Sequence, residues 1–249
     1  MRRASGDGYG SHDCLERRSP AIAPDRVLPA DIDVWPDGQS INPLESDSAI
    51  AIAHFKDHAA YHPPLIARML ELERNPAFVD RLMRGSCGVK VRHIDKWGCA
   101  AADLIHARAQ ELFRRMLKTD AAVVDDCWGN IYRRNDYCMP HSHMRATASV
   151  VYFLESGDAE EPGDRLAGKF FIADPRLKYC TPYLDGHMTR VLVPNAQRGS
   201  MIIFPGYILH GVNPYLGEKP RLTLSWNINQ RAIEGTAAGT FRETTGKPR

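Results

Sequence analysis

The chain lacks any apolar run near the roughly 20 residues that a membrane-spanning helix needs. Its longest apolar stretches, around Ser149–Leu154 and Met201–Phe204, have the length of strands. The N-terminal segment MRRASGDGYGSHDCLERRSP carries basic residues but no apolar core of a secretory leader. No CxxC pair occurs among the six cysteines at positions 14, 87, 99, 127, 138 and 180. That spacing argues against a finger-type zinc site and suits reduced thiols in a cytoplasmic protein. Strong charge is missing too. The formal net charge is +2 over 249 residues, and the Lys and Arg side chains are scattered. Without a basic stripe to follow a phosphate backbone, neither nucleic acid nor a membrane surface is expected as a partner.

What remains is an ordinary globular composition, 43% hydrophobic and 25% charged. Residues 1–20 carry no periodic apolar pattern and read as a disordered tail. Residues 21–249 read as one domain, with 21–119 as helical support, 120–232 as a β core and 233–249 as a C-terminal tail. Residues 26–36 suit a short edge strand broken by proline. Ser46 to about Tyr61 reads as a helix capped by Ser46 or Asp47, which Pro63 and Pro64 then interrupt or restart. Ala101–Leu117 is the clearest helix, with Leu104, Ile105, Ala109, Leu112, Phe113 and Met116 on one face. After Thr119 the texture changes to short strands separated by Gly, Pro, Asp and Asn: Ala121–Tyr132, Ala146–Leu154, Lys169–Ala173, Thr189–Val193, Ser200–Phe204 and Arg221–Asn229. Such spacing predicts a sandwich or barrel.

The chemistry concentrates in two segments. In Trp128–Leu154, His141 and His143 stand two residues apart at the entrance to a strand, and i, i+2 side chains share a face. Two imidazoles so placed can chelate one metal ion. In Ser200–Asn229, His210 follows a strand and a Pro-Gly turn, and Arg221 opens a strand eleven residues later. Arg221, Thr223 and Ser225 share one face of that strand. A metal can take one end of a keto acid while a guanidinium and a hydroxyl take its distal carboxylate. Trp128, Asn130 and Tyr132 alternate along another strand face, where they either line a pocket or belong to the core. His54, His58 and His62 fall at i, i+4, i+8, which is better suited to a packing face than to zinc, and Asp174-Pro175-Arg176 suits a capped turn.

The ordered set W-x-N, HxH with VVYFL, GKFFIADPR, GSMIIFPGYILHGVNP and RLTLSWN resembles the Fe(II)/2-oxoglutarate-dependent oxygenases. Within them it is similar to a group whose motifs run H-x-H, a S-x-V-Y-Y strand, F-P-x-x-x-x-H and R-x-S-x-S-F-N. The resemblance covers roughly Cys127 to Gln230. It implies a mainly β fold with N-terminal helices around a double-stranded β-helix (a cupin-like jelly roll). It implies the cofactors Fe(II), 2-oxoglutarate and O2. Carried over by position, His141 and His210 match the metal ligands, and Arg221 with Thr223 matches the 2-oxoglutarate carboxylate clamp. The wider superfamily has H-x-D or H-x-E, whereas this chain has His143. Three readings follow: His143 ligates; a distant carboxylate such as Asp136 or Asp174 takes the place; or the position is open, as in related halogenases. The expected activity is oxidation of a C–H bond in a small molecule, such as an amino acid or biosynthetic intermediate. The alternatives are a three-histidine dioxygenase that needs no keto acid and a non-catalytic metal-binding module. The helical half is free to form a lid or a homodimer interface.

Overall fold

A computed structural model of the chain describes residues 27, 31–34, 49–81, 88–143, 145–158, 165–174 and 191–231. The two expected tails, Pro175, Arg176 and the cysteines at 14, 87 and 180 lie outside these residues.

Among the described residues, eleven strands and two α-helices are formed. In chain order they are β1 (Ile32–Val34), β2 (Ala51–His54), α1 (His58–Leu72), β3 (Val79–Arg81), β4 (Val89–Arg92), α2 (Ala100–Leu117), β5 (Val123–Tyr132), β6 (Cys138–His141), β7 (Ala148–Glu155), β8 (Phe170–Ile172), β9 (Ser200–Pro205), β10 (His210–Val212) and β11 (Arg221–Asn229). Eight of the strands make an antiparallel sheet in the order β1-β2-β9-β7-β11-β5-β4-β3. The other three make a small sheet, β6-β10-β8.

Strand alternation sorts the large sheet's side chains onto two buried faces. Val150, Tyr152 and Leu154 of β7, Met201 and Ile203 of β9, and Leu222, Leu224, Trp226 and Ile228 of β11 pack in one core with Leu65, Met69, Ile105, Leu112 and Phe113 of the helices. The intervening residues Val151, Phe153, Ile202 and Phe204 pack in a second core with Phe170, Ile172 and Val212 of the small sheet. Because both faces are covered, SVVYFL and SMIIF are continuous apolar runs rather than alternating ones. The β11 strand departs from this: its second face carries Arg221, Thr223 and Ser225, all buried. Buried polar groups are costly unless bonded, so this face marks the place where function overrides packing.

Two local expectations differ from the structure. The stretch Ser46–Tyr61 is not one helix: Ala51–His54 is a strand paired with β1 and β9. In AIAIAHF the alanines suggest a helix, but Ile50 and Ile52 enter one core and Ala51 and Ala53 the other, a period of two. His54 therefore lies on a strand while His58 and His62 lie on α1, and the three share no helix face. Nor do Pro63 and Pro64 interrupt α1. Both prolines, like Ala59 and Ala60 one turn before, face solvent, where water can satisfy the carbonyls that lack a helical donor. The N-terminal region is thus more than helical support: it adds β1–β4 to the large sheet. Of the expected strand Thr189–Val193, the described residues 191–193 contribute a single bridge, Leu192 to Ile172. No helix among the described residues is long and apolar enough to cross a membrane.

Candidate metal centre and cosubstrate pocket

The small sheet closes the first part of the site by register. His141 on β6 lies directly opposite His210 on β10, and their ring centroids are 4.4 Å apart. His143 follows β6 on a loop whose course is set by its own N–H donating to the Gly206 carbonyl at 2.7 Å. Its ring lies 5.0 Å from His141 and 5.1 Å from His210. One ligand nitrogen from each of the three imidazoles lies within 4.8 Å of the others.

Tautomers are set by backbone acceptors. Nδ1 of His141 donates to the Met139 carbonyl at 2.9 Å, and Nδ1 of His210 donates to the Ile208 carbonyl at 2.9 Å. A carbonyl can only accept, so Nε2 of each ring keeps its lone pair. Burial holds all three imidazoles neutral. It is the main cause of the lowered pKa of His141, with Lys90 adding to it. It pushes His143 down to about 3, helped by His141 and Lys90. His210, almost wholly buried, is held well below the ordinary range by burial and then by its two neighbours. A metal ligand must be unprotonated, so a converging set of neutral imidazoles fits a divalent ion.

The alternative carboxylates are engaged elsewhere. Asp136 accepts the Arg133 N–H at 2.7 Å, and fully buried Asp174 accepts the Leu209 N–H at 2.9 Å. Among the described residues, only the three histidines form a cluster able to hold a metal ion.

The second part of the site comes from the large sheet. Arg221 pairs in register with Tyr132, Thr223 with Asn130, and Ser225 with Trp128. The Arg221 guanidinium lies 4.9 Å above the Tyr132 ring. Asn130 organises this face: its Nδ2 donates to Thr223 Oγ1 at 3.2 Å and Ser225 Oγ at 3.1 Å, while its Oδ1 accepts from Trp128 Nε1 at 2.8 Å. Because both hydroxyl oxygens accept from the amide, their own hydrogens are free to donate into the cavity. His141, His143, His210, Arg221, Thr223, Trp128, Asn130 and Tyr132 all line one cavity of about 490 Å³, counted to its open mouth. Trp128 and Tyr132 are at once core and lining, so the two sequence readings of these residues are compatible.

Sequence reasoning missed Lys90, Asn227 and Gly206. Asn227 was within reach: it continues the i, i+2 series Arg221, Thr223, Ser225. Lys90 had no local signal, because only the pairing of β4 with β5 brings it to the cavity.

Residues 126–227 match the protein family described as "Putative 2OG-Fe(II) oxygenase". No curated protein matches the chain. Among solved structures, AviO1 from Streptomyces viridochromogenes Tue57 is similar over 77% of this chain and 94% of its own, with 13% identity and a TM-score of 0.55. The non-heme alpha-ketoglutarate-dependent epimerase SnoN from nogalamycin biosynthesis is similar over 72% of this chain and 77% of its own, with 12% identity and a TM-score of 0.54. A Pseudomonas putida prolyl-4-hydroxylase is similar over 74% of this chain and 94% of its own, with 20% identity and a TM-score of 0.52. At such identities the likeness is one of fold, and that fold is the double-stranded β-helix. The match spans both parts of the candidate site, and the fold is one that such oxygenases share. The matched family implies an enzyme, a dioxygenase that uses Fe(II), 2-oxoglutarate and O2.

Proposed function

We propose that His141, His143 and His210 hold the iron, that Arg221 and Thr223 hold the distal carboxylate of 2-oxoglutarate, and that the enzyme hydroxylates a C–H bond of a small molecule. Trp128, Asn130 and Tyr132 line the pocket for these reactants. The observation that carries the reading is the convergence of three ring nitrogens within 4.8 Å in the same cavity as Arg221 and Thr223. Bound iron supplies the coupled oxidative decarboxylation of 2-oxoglutarate and activation of O2 that put oxygen into a C–H bond.

The residues of the chain contribute position and dryness. Arg221, 5% exposed, offers a fixed cationic fork that suits a carboxylate better than a lysine would. Thr223 adds a hydroxyl donor oriented by Asn130. Phe170, Val151 and Val212 line the apolar side of the cavity and exclude water from the reacting centre. The imidazole of His143 leaves the iron site with more positive charge than a carboxylate would. The cavity opens to solvent beside these residues, a mouth through which an amino acid or biosynthetic intermediate would approach. Similar folds serve a prolyl hydroxylase and an epimerase, so hydroxylation is assigned as the simplest use of the activated oxygen.

Anaerobic titration with Fe(II) and 2-oxoglutarate, followed by the weak visible metal-to-ligand charge-transfer band, tests the assignment. The wild type should show the band. Arg221→Ala should need far more 2-oxoglutarate to reach it, and His143→Ala should bind iron weakly. Full iron affinity in His143→Ala overturns the all-histidine site, and an unchanged 2-oxoglutarate requirement in Arg221→Ala overturns the clamp.

A further inference from the structure

Lys90 stands on β4, in register with Asn130 of β5. Its Nζ lies 4.5 Å from the centre of the Trp128 ring. It lines the same cavity as the three histidines and Arg221, and no Asp or Glu is among the described residues that line it. The ion pairs among the described residues are all made by arginines, so Lys90 takes part in none of them.

The pairing pattern separates Lys90 from the cosubstrate clamp. Thr223 and Lys90 both register with Asn130, but from opposite neighbouring strands, about 9–10 Å apart for two strand spacings. Arg221 pairs with Tyr132 at one end of the β5 segment, whereas Lys90 leans over Trp128 toward the other. The two cations thus rise from strands on opposite sides of β5 and lie over different rings, Trp128 and Tyr132.

The cavity therefore carries two cationic side chains, Arg221 and Lys90, over different rings. With the proposed iron bound, the ion, Arg221 and Lys90 would share the cavity with no carboxylate among its described lining residues, because His143 stands where the wider superfamily has an acid. The two carboxylates of 2-oxoglutarate offset only part of that charge. In a partly desolvated cavity a residual excess favours an anionic partner. The aromatic face of Trp128 holds the ammonium in place without neutralising it.

We propose that the primary substrate is a small organic oxyanion, a carboxylate or a phosphate ester, whose charged end is bound by Lys90 above Trp128. This rests on the reading of the iron and clamp residues given above, and it adds the substrate's chemical class. Lys90 then acts as a specificity-determining residue that fixes how far the target C–H bond lies from its anionic anchor.

The test uses anaerobic full-length enzyme loaded with Fe(II) and saturating 2-oxoglutarate, with the charge-transfer band as the record of loading. Pentanoate, pentanamide and butyl phosphate are titrated by calorimetry into wild type, Lys90→Gln and Lys90→Arg. Wild type should bind one of the two anions at least about tenfold more tightly than the amide, the scale of a charge-assisted contact. Lys90→Gln should lose that preference while keeping the band, and Lys90→Arg should retain it. Which anion is preferred tells carboxylate from phosphate. A loaded wild type with no preference for either anion, or a preference that survives in Lys90→Gln, overturns the proposal. Absence of the band in wild type overturns the iron and clamp reading instead, which keeps the two failures distinct.

Discussion

The side-chain amide of Asn227 meets Nδ1 of His143 at 3.2 Å. On its other side Asn227 Oδ1 accepts from Ser149 Oγ at 3.0 Å. A half-turn of the amide exchanges these roles, so that Asn227 accepts from His143 Nδ1–H and donates to the serine hydroxyl. The half-turned arrangement would leave His143 Nε2 with a free lone pair, the state that a metal bound there would need. Asn227 is thus an orienting partner for the third imidazole. Asn227→Ala should weaken Fe(II) binding about tenfold, the lower end of the effect of removing such partners. Asn227→Asp, which can only accept from Nδ1–H, should keep it. An Fe(II) titration of both variants decides the matter, and equal affinity in Asn227→Ala and wild type would refute the orienting role.

His143 can be exchanged for the residue type that the wider superfamily uses. His143→Asp restores two imidazoles and one carboxylate, a set that also holds Fe(II). It should retain iron where His143→Ala does not, and it should lower the cavity's positive charge. Loss of iron in the aspartate variant would mean that the shorter side chain cannot reach the position the imidazole fills.

Gly206 gives the His143 loop room. A Cβ there would lie 2.1 Å from the Ala146 carbonyl oxygen and 2.8 Å from that of His143. Both are backbone atoms, so no side chain can swing aside. Gly206→Ala should displace the loop, cost about 1–3 kcal/mol as overpacking does, and weaken iron binding together with stability. A thermal melt and an Fe(II) titration check the two effects. An alanine variant with wild-type iron affinity would show that the loop tolerates the shift.

Asn130 ties three side chains of the pocket wall together. Asn130→Leu leaves the Trp128 indole N–H and two hydroxyls without their buried partner, at about 1–3 kcal/mol for each group left unsatisfied. Denaturant unfolding should show lower stability, and the 2-oxoglutarate requirement should rise because Thr223 is no longer oriented. An unchanged requirement would confine Asn130 to a structural role.

His62 sets part of the acid limit of the fold. It is fully buried in α1, bonded through Nε2 to Tyr152 OH, and burial followed by the charge of His58 and Arg198 lowers its pKa from 6.5 to about 4. Asp57 opposes that shift. Between those values the unfolded chain takes up a proton that the folded chain refuses, so stability falls as pH drops from 6.5 toward 4 and is independent of this group above 6.5. The loss is about 3 kcal/mol at most. Melting temperatures from pH 7.5 to 4.5 should fall less steeply in His62→Gln than in wild type. Parallel curves would assign the acid sensitivity to other groups.

Legibility of the fold followed the range of the interactions that decide it. Strands β7 and β9 are readable as apolar runs and β5 and β11 as longer runs of β-rich composition, all bounded by turn residues. The short strands β6 and β10 owe their conformation to partners distant in sequence. AIAIAHF reads as a helix because alanine favours one, and β9, whose pairing overrides that preference, lies far along the chain.

The sequence by itself determined the chemistry on offer: two histidines at strand spacing, a third after a Pro-Gly turn, and an Arg-x-Thr face on a long strand. Those features are local, set by the alternation of side chains about a pleated backbone. Only the tertiary structure decided which groups share a cavity. It set His141 across from His210, gave Asp136 and Asp174 to backbone N–H groups, placed Asn227 against His143 and brought Lys90 over Trp128. Register between strands far apart in the chain governs each of these, and register is fixed by burying two apolar faces at once, which no single segment can specify.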